Sequence, residues 1–251
     1  MNNTINVKSN KMKTTMKSLV TGIFVLVFTI GSFAQRADAN YVPKDAKTDN
    51  LLTGENTVLL VIDWQPDLIK VVNNIDQKVM VNNIQGMIKT ANLFDVPVIE
   101  STIGVKMAGS ATTVDSIKTL IEPNVTNIDR VALNAWQNKA VVDAVKKTGR
   151  KKILITGLWT SGCPTYTTLD ALLDGYEVYI LVDCMGDATT MAHTTAIDRM
   201  VQAGAIPFTW EGAGAEMLRS YTNSKAFTGE QSKGGFVEIM LKHFYPFAGK
   251  Y

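Results

Sequence analysis

The sequence predicts an α/β protein, a three-layer α/β/α sandwich built on a mostly parallel, doubly wound sheet. Apolar, β-rich runs alternate with segments of helical period from residue 57 onward. Runs this apolar are typical of parallel strands that are covered on both faces. Three of the helical segments close on a glycine, as helix carboxyl ends commonly do, at Gly149, Gly175 and Gly204. This alternation indicates helices on both faces of one sheet.

The predicted elements follow in regular order. The strands are the apolar runs TVLLVID (57–63), VPVIEST (96–102), NIDRVAL (127–133), KKILITG (151–157), EVYILVD (177–183) and AIPFTW (205–210). The helices are the segments with apolar residues at helical spacing, DQKVMVNNIQGMIKTANLF (76–94), NKAVVDAVKKTG (138–149), PTYTTLDALLDG (164–175) and TTMAHTTAIDRMVQAG (189–204).

A secretory signal peptide is predicted at residues 1–34. Four lysines precede a 16-residue apolar run that ends in small residues before Gln35, which is the pattern of a cleavable signal. A bilayer-spanning helix needs roughly 20 apolar residues. We expect cleavage after Ala34 and an exported protein, periplasmic or secreted. Cleavage after Ala39, an uncleaved anchor, and a start at Met12 or Met16 remain alternatives.

The rest of the chain is predicted to hold one folded domain. Residues 35–56 form a linker, residues 57–218 the domain, and residues 219–251 a C-terminal extension that packs on this domain or on a neighbouring subunit. At 251 residues and 46% hydrophobic, the chain is long enough to bury a core.

Charge excludes some partners. Four of the 25 basic residues lie in the signal segment, so the remaining 21 are outnumbered by 23 acidic residues. No stripe of lysine or arginine alternates with aromatic residues, so we expect no nucleic acid partner. We also expect no membrane association beyond the signal peptide.

The candidate site lies where the predicted strands end. In doubly wound sheets ligands bind outside the carboxyl ends of the strands. The residues at these ends are Asp63, Arg130, the segment after Gly157, and Asp183 with Cys184. The chemistry to be expected there is that of two carboxylates, a cation and two thiols.

Cys163 stands between a predicted strand and a predicted helix, in GLWTSGCP. A helix amino terminus lowers the pKa of a thiol toward neutrality, and its free N–H groups can hold an oxyanion. The alternative is a buried structural cysteine. In an oxidising compartment thiols tend to pair, and a bond between Cys163 and Cys184, the only two cysteines, would silence this thiol.

Asp63 and Arg130 could complete such a site. A carboxylate at the end of the most apolar strand, in VLLVIDWQPDL, could take the proton of a neighbouring thiol. Its alternative role is to cap the turn that follows. Arg130 would supply a fixed positive charge, or would otherwise be a surface or structural arginine.

Three segments together resemble a known family. VLLVIDWQ, RVALNAW and ITGLWTSGCPTYTTLDALLDGYEVYILVD are similar in order and register to the isochorismatase-like cysteine hydrolases, from Thr57 to Leu218. A further segment, DRMVQAGAIPFTWEG, resembles a subgroup of largely uncharacterised hydrolases that form ring-like or higher oligomers. The resemblance therefore implies a homo-oligomer that acts on a small molecule.

The resemblance also implies a triad of Asp63, Arg130 and Cys163. Asp63 would be the general base, Cys163 the nucleophile that forms a thioester, and the N–H groups of Trp159 and Cys163 the oxyanion hole. The family usually has a cis peptide in this loop, here between Leu158 and Trp159. Arg130 stands where most members carry lysine, and because arginine does not shuttle protons we assign it to electrostatic stabilisation.

No metal and no cofactor are expected. The nicotinamidase branch of the family binds zinc through a D-x-H site and a further histidine. This chain has only His193 and His243, both in helix-like segments far from Asp63.

Three tryptophans next to the triad segments, Trp64, Trp136 and Trp159, are predicted to line the substrate pocket. Some of them could instead be core residues. The function expected from all of this is hydrolysis of a C–N bond in a small amide. The alternatives are isochorismatase-type cleavage of a vinyl ether and a catalytically silent oligomeric scaffold.

Overall fold

The computed structural model describes residues 42, 44–121, 125, 127–227 and 234–249. The chain divides into a unit of Met1–Pro43 and a compact unit of Lys44–Tyr251, and the elements below belong to the second unit. The predicted signal peptide and the start of the predicted linker lie outside the described residues. None of the helices in the described ranges has the length and hydropathy needed to cross a membrane.

The described strands form one sheet in which every neighbouring pair is parallel. They are β1 (Thr57–Ile62), β2 (Val98–Ile103), β3 (Ile128–Arg130), β4 (Lys152–Leu158), β5 (Glu177–Gly186) and β6 (Ile206–Phe208). Their spatial order is β3-β2-β1-β4-β5-β6. The doubly wound, three-layer fold predicted from the apolar runs is confirmed.

Helices connect the strands. They are α1 (Pro66–Ile69), α2 (Gln77–Leu93), α3 (Val105–Ala108), α4 (Asp115–Lys118), α5 (Lys139–Lys147), α6 (Cys163–Leu173), α7 (Thr190–Gln202), α8 (Trp210–Leu218) and α9 (Gly235–His243), with 3₁₀ turns at Ala135–Gln137 and Tyr245–Phe247. Side-chain caps begin several of them: Asp76 accepts two N–H groups of α2, and Thr189 accepts one of α7. Such a cap contributes about 1 kcal/mol to stability.

The core is divided between the two faces of the sheet. Alternate residues of β1 point to opposite faces, so Leu59 and Val61 pack with α2, α8 and α9, whereas Leu60 and Ile62 pack with α5, α6 and α7. All four side chains are fully buried. Burial of one such side chain stabilises the fold by roughly 1.5–3 kcal/mol, which explains why this strand reads as a continuous apolar run.

Three predicted carboxyl ends of strands are wrong by two or more residues. The fifth strand continues to Gly186, so Asp183 and Cys184 lie inside β5 rather than at its end. The sixth strand ends at Phe208 rather than Trp210, because Thr209 caps a helix: its side chain accepts the Gly212 N–H at 3.2 Å. The third strand pairs with β2 only over three residues and ends at Arg130.

The C-terminal segment forms a helix that packs on α2 and α8. The Phe236 ring meets Phe94 edge to face with centroids 6.2 Å apart. Gly214 of α8 makes room for this ring, since a Cβ there would lie 2.1 Å from a Phe236 ring atom.

The strand order places a crevice between β1 and β4. The chain moves from β1 outward to β2 and β3, then returns to place β4 on the other side of β1. Ligands bind at such a switch point in open α/β sheets. Asp63 follows β1 here, and residues 159–163 follow β4.

Candidate active site

Asp63 sits at the carboxyl end of β1 with no exposed surface. Its backbone has a positive φ of 60°, a conformation that a non-glycine residue adopts at a cost of about 1 kcal/mol or more. The Asp63 N–H donates to the Ser101 carbonyl of β2 at 2.8 Å, which fixes this turn at the end of the strand.

Arg130 reaches Asp63 from the end of β3, across β2. Its Nη1 and Nη2 donate to the two Asp63 carboxylate oxygens at 2.6 and 2.7 Å, and both side chains have no exposed surface. The same nitrogens donate to Ser101 Oγ and to the Leu133 carbonyl, each at 3.2 Å. The Arg130 Nε–H has no hydrogen-bond acceptor within the part of the chain that the structure describes. Burial lowers the pKa of Arg130, but the hydrogen bonds and charge of Asp63 outweigh it and raise the value.

Cys163 is the first residue of α6 and lies beside this ion pair, 6% exposed. Burial raises the pKa of the Cys163 thiol to about 12. The charge of Asp63 adds to the rise, and the charge of Arg130 opposes it. The lowered thiol pKa expected from the helix amino terminus is therefore wrong, because burial and the charge of Asp63 raise the value. The resting thiol is protonated at neutral pH.

Three backbone N–H groups of the Cys163 loop, residues 159–162, donate hydrogen bonds within the protein. The N–H groups of Thr160, Ser161 and Gly162 donate to Gly186 O at 3.1 Å, Asp187 Oδ2 at 2.8 Å and Trp159 O at 2.8 Å. Among the described residues, no acceptor is found for the N–H of Trp159 or of Cys163. These are the two N–H groups that the family resemblance assigns to the oxyanion hole.

The expected cis peptide between Leu158 and Trp159 is wrong, since every described peptide bond is trans. The loop turns instead through Trp159 itself, which has a positive φ of 56°.

Both cysteines are free thiols. Cys184 is fully buried in the core cluster that packs against α2 and α8, whereas Cys163 belongs to the cluster on the other face of the sheet. The disulfide considered from the sequence is therefore not the arrangement in this structure.

Only one of the three predicted pocket tryptophans is exposed near the Cys163 loop. Trp159 is 46% exposed. Trp64 has no exposed surface and packs in the core on the face opposite Cys163, so its assignment to the pocket is wrong.

Trp136 is also a wrong assignment to the pocket. Its Nε1 donates to Asp174 at 3.0 Å, and its ring meets Tyr176 edge to face with centroids 5.3 Å apart. Asp174 follows the last turn of α6, about 16 Å along the helix from Cys163.

The structure adds residues that the motifs did not single out for the site. Ser101 and the Leu133 carbonyl bind Arg130, and the buried carboxylate of Asp187 binds the Cys163 loop. His193 lies on α7 with its Nδ1 2.9 Å from Thr160 Oγ1, and burial lowers its pKa. Apart from the Arg130–Leu133 contact, these contacts join residues 26 or more positions apart, so no local sequence pattern predicts them.

The other histidine, His243, lies on α9, where its Nε2 is 2.8 Å from Lys89 Nζ. Within the described ranges, no group of three His, Cys, Asp or Glu side chains is placed to hold a metal ion.

Known proteins resemble this chain. Residues 57–212 match the model of the isochorismatase domain. The probable hydrolase YcaC of Escherichia coli strain K12 is 31% identical over 173 residues, which are 68% of this chain and 82% of that protein.

Solved structures show the same likeness. YcaC from Pseudomonas aeruginosa, solved with hexane-2,5-diol and covalent acrylamide, superposes with a TM-score of 0.71 and 28% identity over 80% of this chain and 95% of that chain. The Staphylococcus aureus nicotinamidase SaPncA, at 17% identity and a TM-score of 0.54 over 61% of this chain and 96% of its own, shares the fold. The chain therefore belongs to the isochorismatase family, as an isochorismatase-like hydrolase related to YcaC.

Proposed function

We propose that the protein is a cysteine hydrolase that cleaves a C–N bond of a small amide through a thioester on Cys163. The observation that carries the proposal is the buried Asp63–Arg130 ion pair with the Cys163 thiol beside it, at the start of a helix in the switch-point crevice. These groups supply a proton acceptor, a fixed cation and a nucleophile in contact with one another.

Attack on the amide begins from the neutral thiol. Because the thiol pKa is about 12, the S–H proton passes to the Asp63 carboxylate as the S–C bond forms. The carbonyl electron pair moves onto oxygen, and the N–H groups of Trp159 and Cys163 donate to the resulting oxyanion. When the intermediate collapses, the C–N bond breaks and the amine leaves with the proton from Asp63.

Water then completes the cycle. It attacks the thioester carbon and gives a proton to Asp63, and the C–S bond breaks. The sulfur recovers that proton, so the carboxylic acid leaves and the resting enzyme is restored.

Arg130 acts through charge in both steps. Its two bonds to Asp63 fix the carboxylate. Its Nε–H, which has no acceptor among the described residues, is a donor available to sulfur as negative charge develops there. Arginine stays protonated throughout, so it stabilises and orients but transfers no proton.

Two proteins with a related fold are reported with small amides or as acting on one, which supports a small amide as the substrate class. The Pseudomonas aeruginosa relative carries covalent acrylamide, and one of the more distant structures is a nicotinamidase. Here the triad is almost fully buried and the half-exposed Trp159 stands at the same loop. We propose a compact substrate whose acyl group packs against this indole.

We also propose that the protein forms a homo-oligomer. The Escherichia coli YcaC gene product, 29% identical with a TM-score of 0.72 over 80% of this chain, is described as an octameric hydrolase of unknown specificity. Light scattering is expected to give a mass several times the 27.5 kDa of one chain, and a monomer at micromolar concentration would contradict this.

Export is the remaining proposal, and it rests on the N-terminal pattern of residues 1–34. Amino-terminal sequencing of the protein from a periplasmic or culture fraction is expected to begin at Gln35. A full-length amino terminus would contradict cleavage.

A substrate screen tests the central proposal. Small amides and carbamoyl compounds are screened for ammonia release, with Cys163→Ala as the blank. Cys184→Ala is the matched control, because it removes the other buried thiol on the opposite face of the sheet. Release that requires Cys163 and survives Cys184→Ala supports the proposal, and release that persists in Cys163→Ala overturns it.

A further inference from the structure

Asp187 is a buried carboxylate next to the Cys163 loop that the reaction scheme above does not use. It directly follows β5 and is 5% exposed. Its Oδ2 accepts the Ser161 N–H and its Oδ1 accepts the Ala188 N–H, each at 2.8 Å. Both carboxylate oxygens therefore bind backbone, and one of the two bonds holds the Cys163 loop.

Asp187 is itself held from two sides. Its N–H donates to Asn74 Oδ1 at 2.6 Å, and its carbonyl accepts the Asn73 N–H at 2.9 Å. The carbonyl of the preceding Gly186 accepts the Thr160 N–H at 3.1 Å. The loop is thus tied to the end of β5 by two consecutive N–H groups, and that end is tied in turn to the segment after α1.

This arrangement determines which N–H groups of the loop stay available. The N–H groups of Thr160 and Ser161 donate to acceptors at the end of β5, and the Gly162 N–H donates to the Trp159 carbonyl. The N–H groups that flank this stretch, at Trp159 and Cys163, have no acceptor among the described residues. Without the Asp187 bond, the Ser161 N–H would need another acceptor, and the positive φ of Trp159 would lose one of its restraints.

We propose that Asp187 is a positioning residue for the oxyanion hole. It does not touch the substrate. It holds Ser161 so that the N–H groups of Trp159 and Cys163 converge on the substrate oxygen. This assignment rests on the proposed cysteine hydrolase function, and it adds a residue outside the triad on which the acylation rate depends.

Two reactions of the same thiol test the proposal. Acylation by p-nitrophenyl acetate places an oxyanion in the hole: sulfur bonds to the acetyl carbon, the thiol proton goes to Asp63, and p-nitrophenolate leaves. Alkylation by iodoacetamide forms an S–C bond as the thiol loses its proton to Asp63 or to water and iodide leaves, and it creates no oxyanion. The first reaction therefore needs the positioned N–H groups, whereas the second depends on the exposure and the deprotonation of the thiol but not on those N–H groups.

Asp187→Asn is the informative variant. An amide keeps the shape but offers one oxygen, so one of the two backbone N–H groups faces an NH₂ group instead of an acceptor. Loss of one oxyanion donor costs about 100- to 1,000-fold, and its misplacement by about 1 Å can cost about 100-fold. Because Asp187→Asn shifts the loop without removing a donor, acylation of Cys163 is expected to slow by about 10- to 100-fold. Alkylation of Cys163, followed by peptide mass spectrometry, is expected to stay within about two-fold of the wild-type rate.

The matched control is Asp198→Asn, which makes the same charge change on an exposed position of α7. It is expected to leave both rates unchanged. Asp187→Ala removes both acceptors and is expected to lower acylation at least as far as Asp187→Asn.

The outcomes separate the two proposals. Unchanged acylation in Asp187→Ala overturns the positioning role, because that variant removes both acceptors. Parallel changes in both rates together with a lower melting temperature mark a structural role only and overturn it as well. If wild-type Cys163 is alkylated but never acylated, the nucleophile assignment fails and the role of Asp187 falls with it.

Discussion

Removing Arg130 should reveal how much the buried ion pair contributes to the fold. In Arg130→Met the cation is lost, and Asp63 keeps a negative charge with no exposed surface and no bidentate partner. Breaking a buried pair from one side costs about 3–5 kcal/mol. For a domain of this size, each kcal/mol lowers the melting temperature by about 2–4 °C, so we expect a fall of about 6–20 °C.

Arg130→Lys is the matched variant, because it keeps the charge but replaces the planar fork with one ammonium group. It can keep one bond to Asp63 and loses part of the contacts to Ser101 and the Leu133 carbonyl. We expect a smaller loss, about 1–3 kcal/mol.

The assay is urea unfolding followed by circular dichroism, with the double variant Asp63→Asn/Arg130→Met closing a thermodynamic cycle. Because the double variant leaves no unpaired charge, it should be more stable than Arg130→Met alone. The reasoning fails if Arg130→Met lies within 1 kcal/mol of wild type, or if the double variant loses the sum of both single effects.

Further predictions concern the C-terminal helix and metal dependence. Burial and the charge of Lys89 lower the pKa of His243 to about 4, below the value of about 6.5 in an unfolded chain. The folded state therefore binds a proton at His243 less readily than the unfolded state. The stability that neutral His243 contributes is complete above about pH 6.5 and is lost as pH falls toward about 4. Its size is at most roughly 3 kcal/mol and smaller with solvent screening. The protection factors of the α9 amides, which divide out the intrinsic pH dependence of exchange, should therefore fall as pH falls from about 6.5 toward about 4. Protection factors that do not change with pH would contradict this. Gly214→Ala should destabilise the protein by about 1–3 kcal/mol, because the added Cβ would clash with the Phe236 ring. The control Gly212→Ala, in the same helix, should stay within about 1 kcal/mol of wild type. Equal melting temperatures for the two variants would refute the clash. Amide turnover should survive treatment with a strong chelator, and inhibition that zinc reverses would overturn the expectation of no catalytic metal.

The sequence predicted the existence and order of the strands well, for a physical reason. A parallel strand covered on both faces must be apolar throughout, as in β1 and β4, so it stands out without an alternating pattern. Polar residues then concentrate near the strand ends, although Glu100 in β2 and Asp183 in β5 lie within strands. Asp63, Arg130 and Cys163 were found by this rule, and the structure brings them together.

The properties that depend on distances across the sheet were not accessible from the sequence. The helix amino terminus suggested a lowered Cys163 pKa, but the value is set by burial and by the charge of Asp63 from a strand 100 residues earlier in the chain. Trp136 lies only six residues after Arg130 in the sequence, yet a 3₁₀ turn carries its indole to the far end of α6. Asp187 lacks any local signal, since its bond to Ser161 spans 26 residues.

The most direct test of the account is the pH dependence of Cys163 alkylation in wild type and Asp63→Asn, measured beside amide turnover. Asp63 raises the thiol pKa and Arg130 lowers it. Asp63→Asn should therefore move the alkylation profile to lower pH than in wild type, while turnover falls because the proton acceptor is gone. An unchanged or higher thiol pKa in Asp63→Asn, or turnover at the wild-type rate, would contradict the assignment of Asp63 as the base.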